Sequence, residues 1–125
     1  MNALRYLADT HVLLWALADD RRLLGRHKSV LLSSAEVYFS AASIWEIAIK
    51  RSLGKLQAPQ NLAALLPRAG FIPLDLTPRH AEAVLDLPRH HSDPFDRLLI
   101  VQAMIEKMCV MTVDTRFSHY GVDLL

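Results

Sequence analysis

Four acids in this chain stand where a strand or helix begins or ends: Asp9, Glu46, Asp96 and Asp114. Carboxylates gathered in one crevice repel one another, and each has its pKa raised unless a cation neutralises the set. An all-oxygen donor set of this kind suits Mg²⁺ or Mn²⁺, which bind through a few carboxylates, keep several waters and leave room for substrate phosphates. An ion so held activates water, grips a phosphate oxygen and offsets charge as a phosphodiester breaks, alone or as one of two ions about 4 Å apart. Each acid also has a structural reading: Asp9 as a helix cap, Glu46 as half of a capping box, Asp96 as a complement to a helix dipole, Asp114 as the cap of a turn at Thr115. The functional reading therefore rests on the four acting jointly.

The elements that must position them follow from the patterning. The stretch His90-His91-Ser92-Asp93-Pro94-Phe95-Asp96-Arg97 runs directly into Leu98-Leu99-Ile100-Val101-Gln102-Ala103. Pro94 suits the first position of a helix, where an N–H has no partner, and Asp93 before it suits the N-cap. Asp93 and Asp96 then lie on one face of the first turn of an apolar, buried helix running to about Lys107.

Asp9 closes a first strand, Leu4–Ala8, and a helix from His11 to Ala18 follows. A second helical stretch covers Arg21–Ser34. Val37–Ser40 is a second strand, and Ser43 with Glu46 has capping-box spacing for a helix ending near Gly54. A helix centred on Leu62–Leu66 leads to a strand at Phe71–Leu74, which Pro73 assigns to an edge. Thr77-Pro78 opens a helix that Pro88 ends. Val110–Val113 is the next strand, closed by Asp114. Arg116–Tyr120 is a turn or short helix, and Val122–Leu125 a candidate last strand.

Strand and helix alternate throughout, which predicts an α/β fold of three α/β/α layers around a mainly parallel sheet of four or five strands. In such a sheet the strand-to-helix turns share one edge, and ligands bind at the switch point of the strand order. Asp9, Glu46 and Asp114 are placed to converge there. Asp96 joins them only if the segment Leu87–Ser92 returns the chain to that edge.

The 125 residues suit one domain over residues 1–125, and 52% hydrophobic content supplies its core. With 14 Lys+Arg against 13 Asp+Glu the formal charge is +1, so a polyanion would have to be met by local patches. The single cysteine, Cys109, rules out an intrachain disulfide and a cysteine-based zinc site, and is expected to pack as a small apolar side chain. No apolar run approaches a membrane span, and Met1-Asn2-Ala3-Leu4-Arg5-Tyr6 lacks the layout of a signal peptide. A cytoplasmic protein without membrane attachment is expected.

Four blocks, taken together, resemble the PIN-domain nucleases, and in particular the VapC-like toxins of bacterial toxin–antitoxin pairs. They are Asp9-Thr10-His11-Val12-Leu13-Leu14-Trp15, Ser43-Ile44-Trp45-Glu46-Ile47, His90 through Ile100, and Thr112-Val113-Asp114-Thr115-Arg116-Phe117. The resemblance spans the whole chain in order. It implies a compact α/β/α nuclease that cleaves RNA endonucleolytically with Mg²⁺ or Mn²⁺, and a helix of Asp96 that enters the crevice. It implies a catalytic quartet of Asp9, Glu46, Asp96 and Asp114, with Asp9, Asp96 and Asp114 as metal ligands. It further implies a small antitoxin protein that inhibits the enzyme, and a homodimer. Asp93 belongs to a common variant of the motif and reads as a cap first and an outer ligand second.

Around the quartet, Thr10 is suited to a metal-bound water, a phosphate or a cap. Arg97 is expected to pair with Asp93 or to grip phosphate, with the pairing preferred; Arg116 carries the same ambiguity. His11 reads as facing sheet or solvent, and His90 and His91 as exposed loop histidines beside the acids, with contact to phosphate or the antitoxin as the alternative. Lys50, Arg51 and Lys55 read as a solvated helix end. Trp15 and Trp45 read as core or dimer-interface residues. Three alternatives are weighed against a ribonuclease. A Mg²⁺-binding receiver-type signalling domain normally needs an acidic pair after its first strand and a lysine after its last full strand, where this chain has Asp9 alone and no lysine after Lys107. An Asp-x-Asp phosphatase fails because His11 holds the third place. A catalytically silent PIN-like binding module would retain the fold without metal affinity.

Overall fold

The computed structural model describes residues 4–125, so the Met1-Asn2-Ala3 lead lies outside the described residues. Four strands form one parallel sheet: β1 (Arg5–Ala8), β2 (Glu36–Ser40), β3 (Ile72–Leu74) and β4 (Cys109–Met111), in the order β3-β2-β1-β4. The chain moves outward from β1 to β2 to β3 and then crosses back to place β4 on the far side of β1. The switch point therefore lies between β1 and β4, and a crevice opens beyond their carboxyl ends. β3 is an edge strand, as Pro73 predicts.

Alternation along the strands divides the core in two. Tyr6, Ala8, Val37, Phe39 and Met111 face a layer built from α1 (Thr10–Ala18), α2 (Gly25–Leu31), α3 (Ala41–Ser52) and α4 (Leu62–Arg68). Leu7 and Val110 face the opposite layer, built from α5 (Pro78–Ala83), α6 (Pro94–Glu106) and a 3₁₀ turn at Thr115–Tyr120. The result is the three-layer α/β/α arrangement predicted from the alternation of elements. Cys109 is free and packs, half-buried, against the first of these cores. No helix among the described residues is long and apolar enough to cross a membrane.

The direction of α6 answers the question left by the loop before it. The Arg5 guanidinium, at the start of β1, donates to the carbonyl of Glu106, at the end of α6. The helix therefore runs antiparallel to the sheet, and its first turn lies at the carboxyl edge. A buried bridge fixes it there: Ser40 Oγ, at the end of β2, donates to Gln102 Oε1 over 2.5 Å, and Gln102 Nε2 donates to the Asp75 carbonyl over 3.3 Å.

Several boundaries differ from the sequence reading. α3 begins three residues earlier than expected, because β2 runs into it with no intervening loop. Ser40 is its N-cap, accepting from the Ala42 N–H over 2.9 Å, so the Ser43–Glu46 capping box does not form. α2 starts only at Gly25, since Asp20 first folds back to bind the N–H and guanidinium of Arg22. α5 ends at Ala83 and tightens into a 3₁₀ turn, Val84–Asp86, before Pro88 is reached. β4 is one residue earlier at its start and two shorter at its end than Val110–Val113. The last segment adds a single bridge, Leu124 to Val110, and no strand.

Candidate active site

Asp9 is the last residue before α1 and caps it, with Oδ1 accepting from the Val12 N–H over 3.0 Å. Its backbone N–H continues the β1–β4 ladder to the Met111 carbonyl over 3.0 Å. Its second oxygen, Oδ2, accepts from Thr112 Oγ1, and that same hydroxyl accepts from the Asp114 N–H over 3.0 Å. One threonine thus ties the acid after β1 to the acid after β4. Asp9 is 4% exposed, and burial pushes its carboxyl above the ordinary carboxylate range against the pull of these hydrogen bonds.

Thr10, the first residue of α1, crosses to α3. Its hydroxyl lies 2.9 Å from Ser43 Oγ and 2.7 Å from Glu46 Oε1. Glu46 sits in the second turn of α3, 3% exposed, with its other oxygen 2.6 Å from Lys50 Nζ one turn on. This bond raises the Lys50 pKa. Lys50 is therefore engaged with the site and is more than a solvated helix end, whereas Arg51 and Lys55 are exposed.

Asp93 is the N-cap of α6: its Oδ1 accepts from the N–H groups of Phe95 (2.9 Å) and Asp96 (3.1 Å). Asp96, one turn in, turns toward the crevice. Burial and then the charges of Asp93, Glu46, Asp9 and Asp114 push its carboxyl up to about 7. Asp114 caps the 3₁₀ turn by accepting from the Arg116 N–H, and takes both oxygens' contacts from the Arg116 guanidinium at 3.0 and 2.9 Å. That pairing lowers its carboxyl to about 2.

Between Asp96 and Asp114 stands His91. Its Nε2 lies 2.9 Å from Asp96 Oδ2 and 3.1 Å from Asp114 Oδ2. The expectation of an exposed loop histidine is thus corrected: His91 is 3% exposed, its ring edge-on to Phe117 and its N–H donating to the Tyr120 hydroxyl over 2.7 Å. His90 remains on the surface, its ring tilted against His119 and edge-on to Tyr120.

Arg97 also departs from the reading. It neither pairs with Asp93 nor reaches the crevice. Its buried guanidinium donates to the carbonyls of Pro88 (2.9 Å), Leu87 (3.1 Å), Val84 (3.2 Å) and His91 (3.3 Å), pinning the loop before α6. Trp45 is no core residue: it is 56% exposed on the outer side of α3, edge-on to Phe95 at 5.1 Å. Trp15 is half-buried, with the Arg22 guanidinium over its ring. His11 is exposed beside Trp15, as expected of a residue facing solvent.

The predicted quartet is thus drawn into one connected crevice. Asp9 and Asp114 share Thr112, Asp114 and Asp96 share His91, and Glu46 joins through the Thr10 next to Asp9. Thr112 and His91 were missed as site residues. Nothing in Thr112 alone distinguishes it from a strand-end residue. His91 carried one signal, its place two residues before a helix cap. The chemistry of the donor set fits a hard divalent cation: among the described residues Lys50 pairs with Glu46 and Arg116 with Asp114, and the charge of Asp96 is disfavoured by burial and by the carboxylates of Asp93, Glu46, Asp9 and Asp114. The carboxylates of Asp96 and Asp114, with Asp9 linked through Thr112, are the residues that could hold such an ion.

Comparisons with known proteins agree with this architecture. A family model described as PIN domain matches residues 6–123. Among curated proteins, none matches the chain by sequence. Among solved structures, the chain is similar to the Rickettsia felis VapBC2 complex bound to a DNA fragment from its promoter, at a TM-score of 0.71 and 15% identity over 98% of both chains. It is also similar to FitAcB from Neisseria gonorrhoeae, at a TM-score of 0.66 and 22% identity over 96% of both chains. A third likeness is to DNA-bound VapBC from Salmonella typhimurium, at a TM-score of 0.66 and 16% identity over 98% of this chain and 97% of that one. At these identities the likeness is one of fold.

Proposed function

The chain belongs to the PIN domain family, and from that premise we propose that it is a metal-dependent endoribonuclease, the toxin of a toxin–antitoxin pair. The observation that carries the proposal is the crevice itself: four acids from four separate elements at the sheet's switch point, Asp9, Asp114 and Asp96 linked through Thr112 and His91 and Glu46 bonded to the Thr10 next to Asp9, with Asp96 pushed up to about 7 by burial and by its neighbours. In this reading Asp9, Asp96 and Asp114 hold Mg²⁺ or Mn²⁺, and Glu46 completes the catalytic set. The ion, when bound, supplies an activated water and a counter-charge for the phosphate.

The chain's own groups do the orienting. Thr112 holds Asp9 and Asp114 at a fixed separation. Thr10 and Lys50 occupy Glu46 from two sides and aim it inward. Arg116, exposed beside Asp114, is placed to meet a substrate phosphate. No side chain is required as a nucleophile, because water attacks the phosphodiester in line. The single domain formed by the chain acts in the cytoplasm, as a homodimer, and is inhibited by a small antitoxin protein. The similarity in fold to toxin–antitoxin complexes supports this assignment of a partner.

The test is cleavage of a mixed-sequence single-stranded RNA by the purified protein with Mg²⁺ or Mn²⁺, followed by sequencing of the new ends. Asp9→Asn is expected to abolish cleavage, and chelation to stop it in the parent. Undiminished metal-dependent cleavage by Asp9→Asn overturns the proposal, and absence of any metal affinity identifies a silent binding module in its place.

A further inference from the structure

His91 could serve its two carboxylate neighbours in either of two ways, and the opposite side of its ring decides between them. Its Nε2, with one oxygen each of Asp96 and Asp114, forms a group of three ligand-type atoms all within 4.8 Å of one another. By distance alone, an imidazole and two carboxylates describe a metal-binding triad. But a histidine that ligates through Nε2 needs its lone pair there, and so its proton on Nδ1, where it donates to a carbonyl or carboxylate.

Here Nδ1 faces a donor. The backbone N–H of Asp93 points at it over 3.1 Å. Nδ1 must therefore accept, and the ring's proton sits on Nε2. From there it is donated to Asp114 Oδ2 over 3.1 Å, and Asp96 Oδ2 stands 2.9 Å from the same nitrogen. The ring has little freedom to do otherwise. The His91 N–H is bonded to the Tyr120 hydroxyl, its carbonyl is held by Arg97, and Phe117 packs edge-on to the imidazole. The other tautomer, with the proton on Nδ1, would leave two N–H groups facing each other in a buried place, which costs the desolvation of both.

We infer that His91 is a positioning residue: its Nε2–H, fixed by the Asp93 N–H on the opposite ring nitrogen, donates to the Asp114 carboxylate, seats that of Asp96 against the same nitrogen at the crevice, and does not itself ligate the cation. This rests on the metal-nuclease reading of the same site and adds a role to it. Each carboxylate keeps its Oδ2 engaged with the histidine. Asp96 Oδ1 would be left for the ion, while Arg116 orients Asp114 through both of its oxygens, Oδ2 being shared with His91. The Asp93 cap and the metal site are then coupled, because the turn that starts α6 also sets the tautomer of the residue that spaces the ligands.

Two measurements test this. In ¹⁵N-histidine-labelled protein, with His91 identified by its absence from the His91→Gln spectrum, the imidazole is expected to show a protonated Nε2 and an unprotonated Nδ1, both without metal and after saturation with Mg²⁺. Loss of the Nε2 proton on adding Mg²⁺ makes His91 a ligand and overturns the inference; so does a proton on Nδ1 in the metal-free protein. By calorimetric titration, His91→Phe, which keeps the ring packing and removes the donor, is expected to weaken Mg²⁺ or Mn²⁺ binding by about 10–100-fold. His91→Gln, whose amide N–H₂ reaches the place of Nε2, is expected to stay within a few-fold of the parent. Equal affinity in all three proteins overturns the inference. A purely packing role would change the melting temperatures and leave the affinities together. Should the parent bind no metal, the nuclease reading fails, and the metal-free spectrum still decides the tautomer and donor role of His91.

Discussion

Asp96 illustrates how a residue can be unfavourable for the fold and necessary for the chemistry. Its carboxyl is partly buried among Asp93, Glu46, Asp9 and Asp114, and is pushed up to about 7. Above that pH the metal-free protein carries a charge that its surroundings disfavour. Asp96→Asn removes the charge and keeps the shape. It is expected to stabilise the metal-free protein at pH 8 by about 1–2 kcal/mol, once the solvent around the partly exposed carboxyl is allowed for, and to abolish metal-dependent cleavage. Thermal melting with and without chelator, beside an RNA-cleavage assay, checks both; a variant less stable than the parent would show that the repulsion is not there. Thr112→Val is expected to leave Asp9 without its hydroxyl donor, and to lower cation affinity by about tenfold or more, as loss of an orienting partner does, read by titration calorimetry. The four acids were legible in the sequence because Asp9, Asp96 and Asp114 stand at or beside element boundaries and Glu46 lies on the helix that follows β2. Thr112 and His91 were not, because each acts by joining two residues that only the sheet order makes neighbours: Asp9 and Thr112 are 103 positions apart.

At the scale of elements, the start of α6 does two things at once, and substitutions can separate them. Asp93 caps the helix through one oxygen shared by two N–H groups. Asp93→Ala is expected to cost about 1 kcal/mol in unfolding free energy, and Asp93→Asn only a few tenths, since asparagine caps as well as aspartate. If capping is the main role of Asp93, both asparagine variant and parent bind Mg²⁺ with similar affinity by calorimetry; a large loss in Asp93→Asn would make the acid an ion ligand. The Asp93-Pro94 start was legible because cap and first-turn proline are local chemistry. The role of Arg97 was not: its four carbonyl partners lie in the irregular stretch from Val84 to His91, whose path no local pattern sets. The same limit explains α3. Ser40 and Ser43 are both competent caps, and the choice between them depends on where β2 stops pairing with β1 and β3, which is a property of the sheet.

Across the whole molecule, the order β3-β2-β1-β4 opens the crevice at the switch point, and α6 runs antiparallel to the strands so that its first turn faces it. Alternation of elements made the layers legible, but strand order and helix direction depend on the return of the chain between α5 and α6. This convergence links the stability of the entire fold to pH and metal. Asp96 and Asp9 have carboxyls raised by burial, so in the metal-free protein the folded state holds protons that the unfolded chain releases. For Asp96 this contribution is fully present below pH of about 4 and is lost as pH rises toward 7, and Asp9 acts in the same sense. Asp114, lowered to about 2, acts in the opposite sense, but its window lies below pH of about 4. The melting temperature of the chelated parent, measured against Asp96→Asn, is therefore expected to fall as pH rises from 5 to 8. A cation bound only by the folded state should reverse this, adding about 2.7 kcal/mol at a hundred times its dissociation constant, with a larger effect at pH 8 than at pH 5 because deprotonated ligands are required. A melting series over pH with EDTA or with Mn²⁺ reads both trends. Parallel curves for parent and Asp96→Asn under chelation would mean that the carboxylates do not repel one another in the crevice, and would remove the electrostatic reason for an ion to bind there.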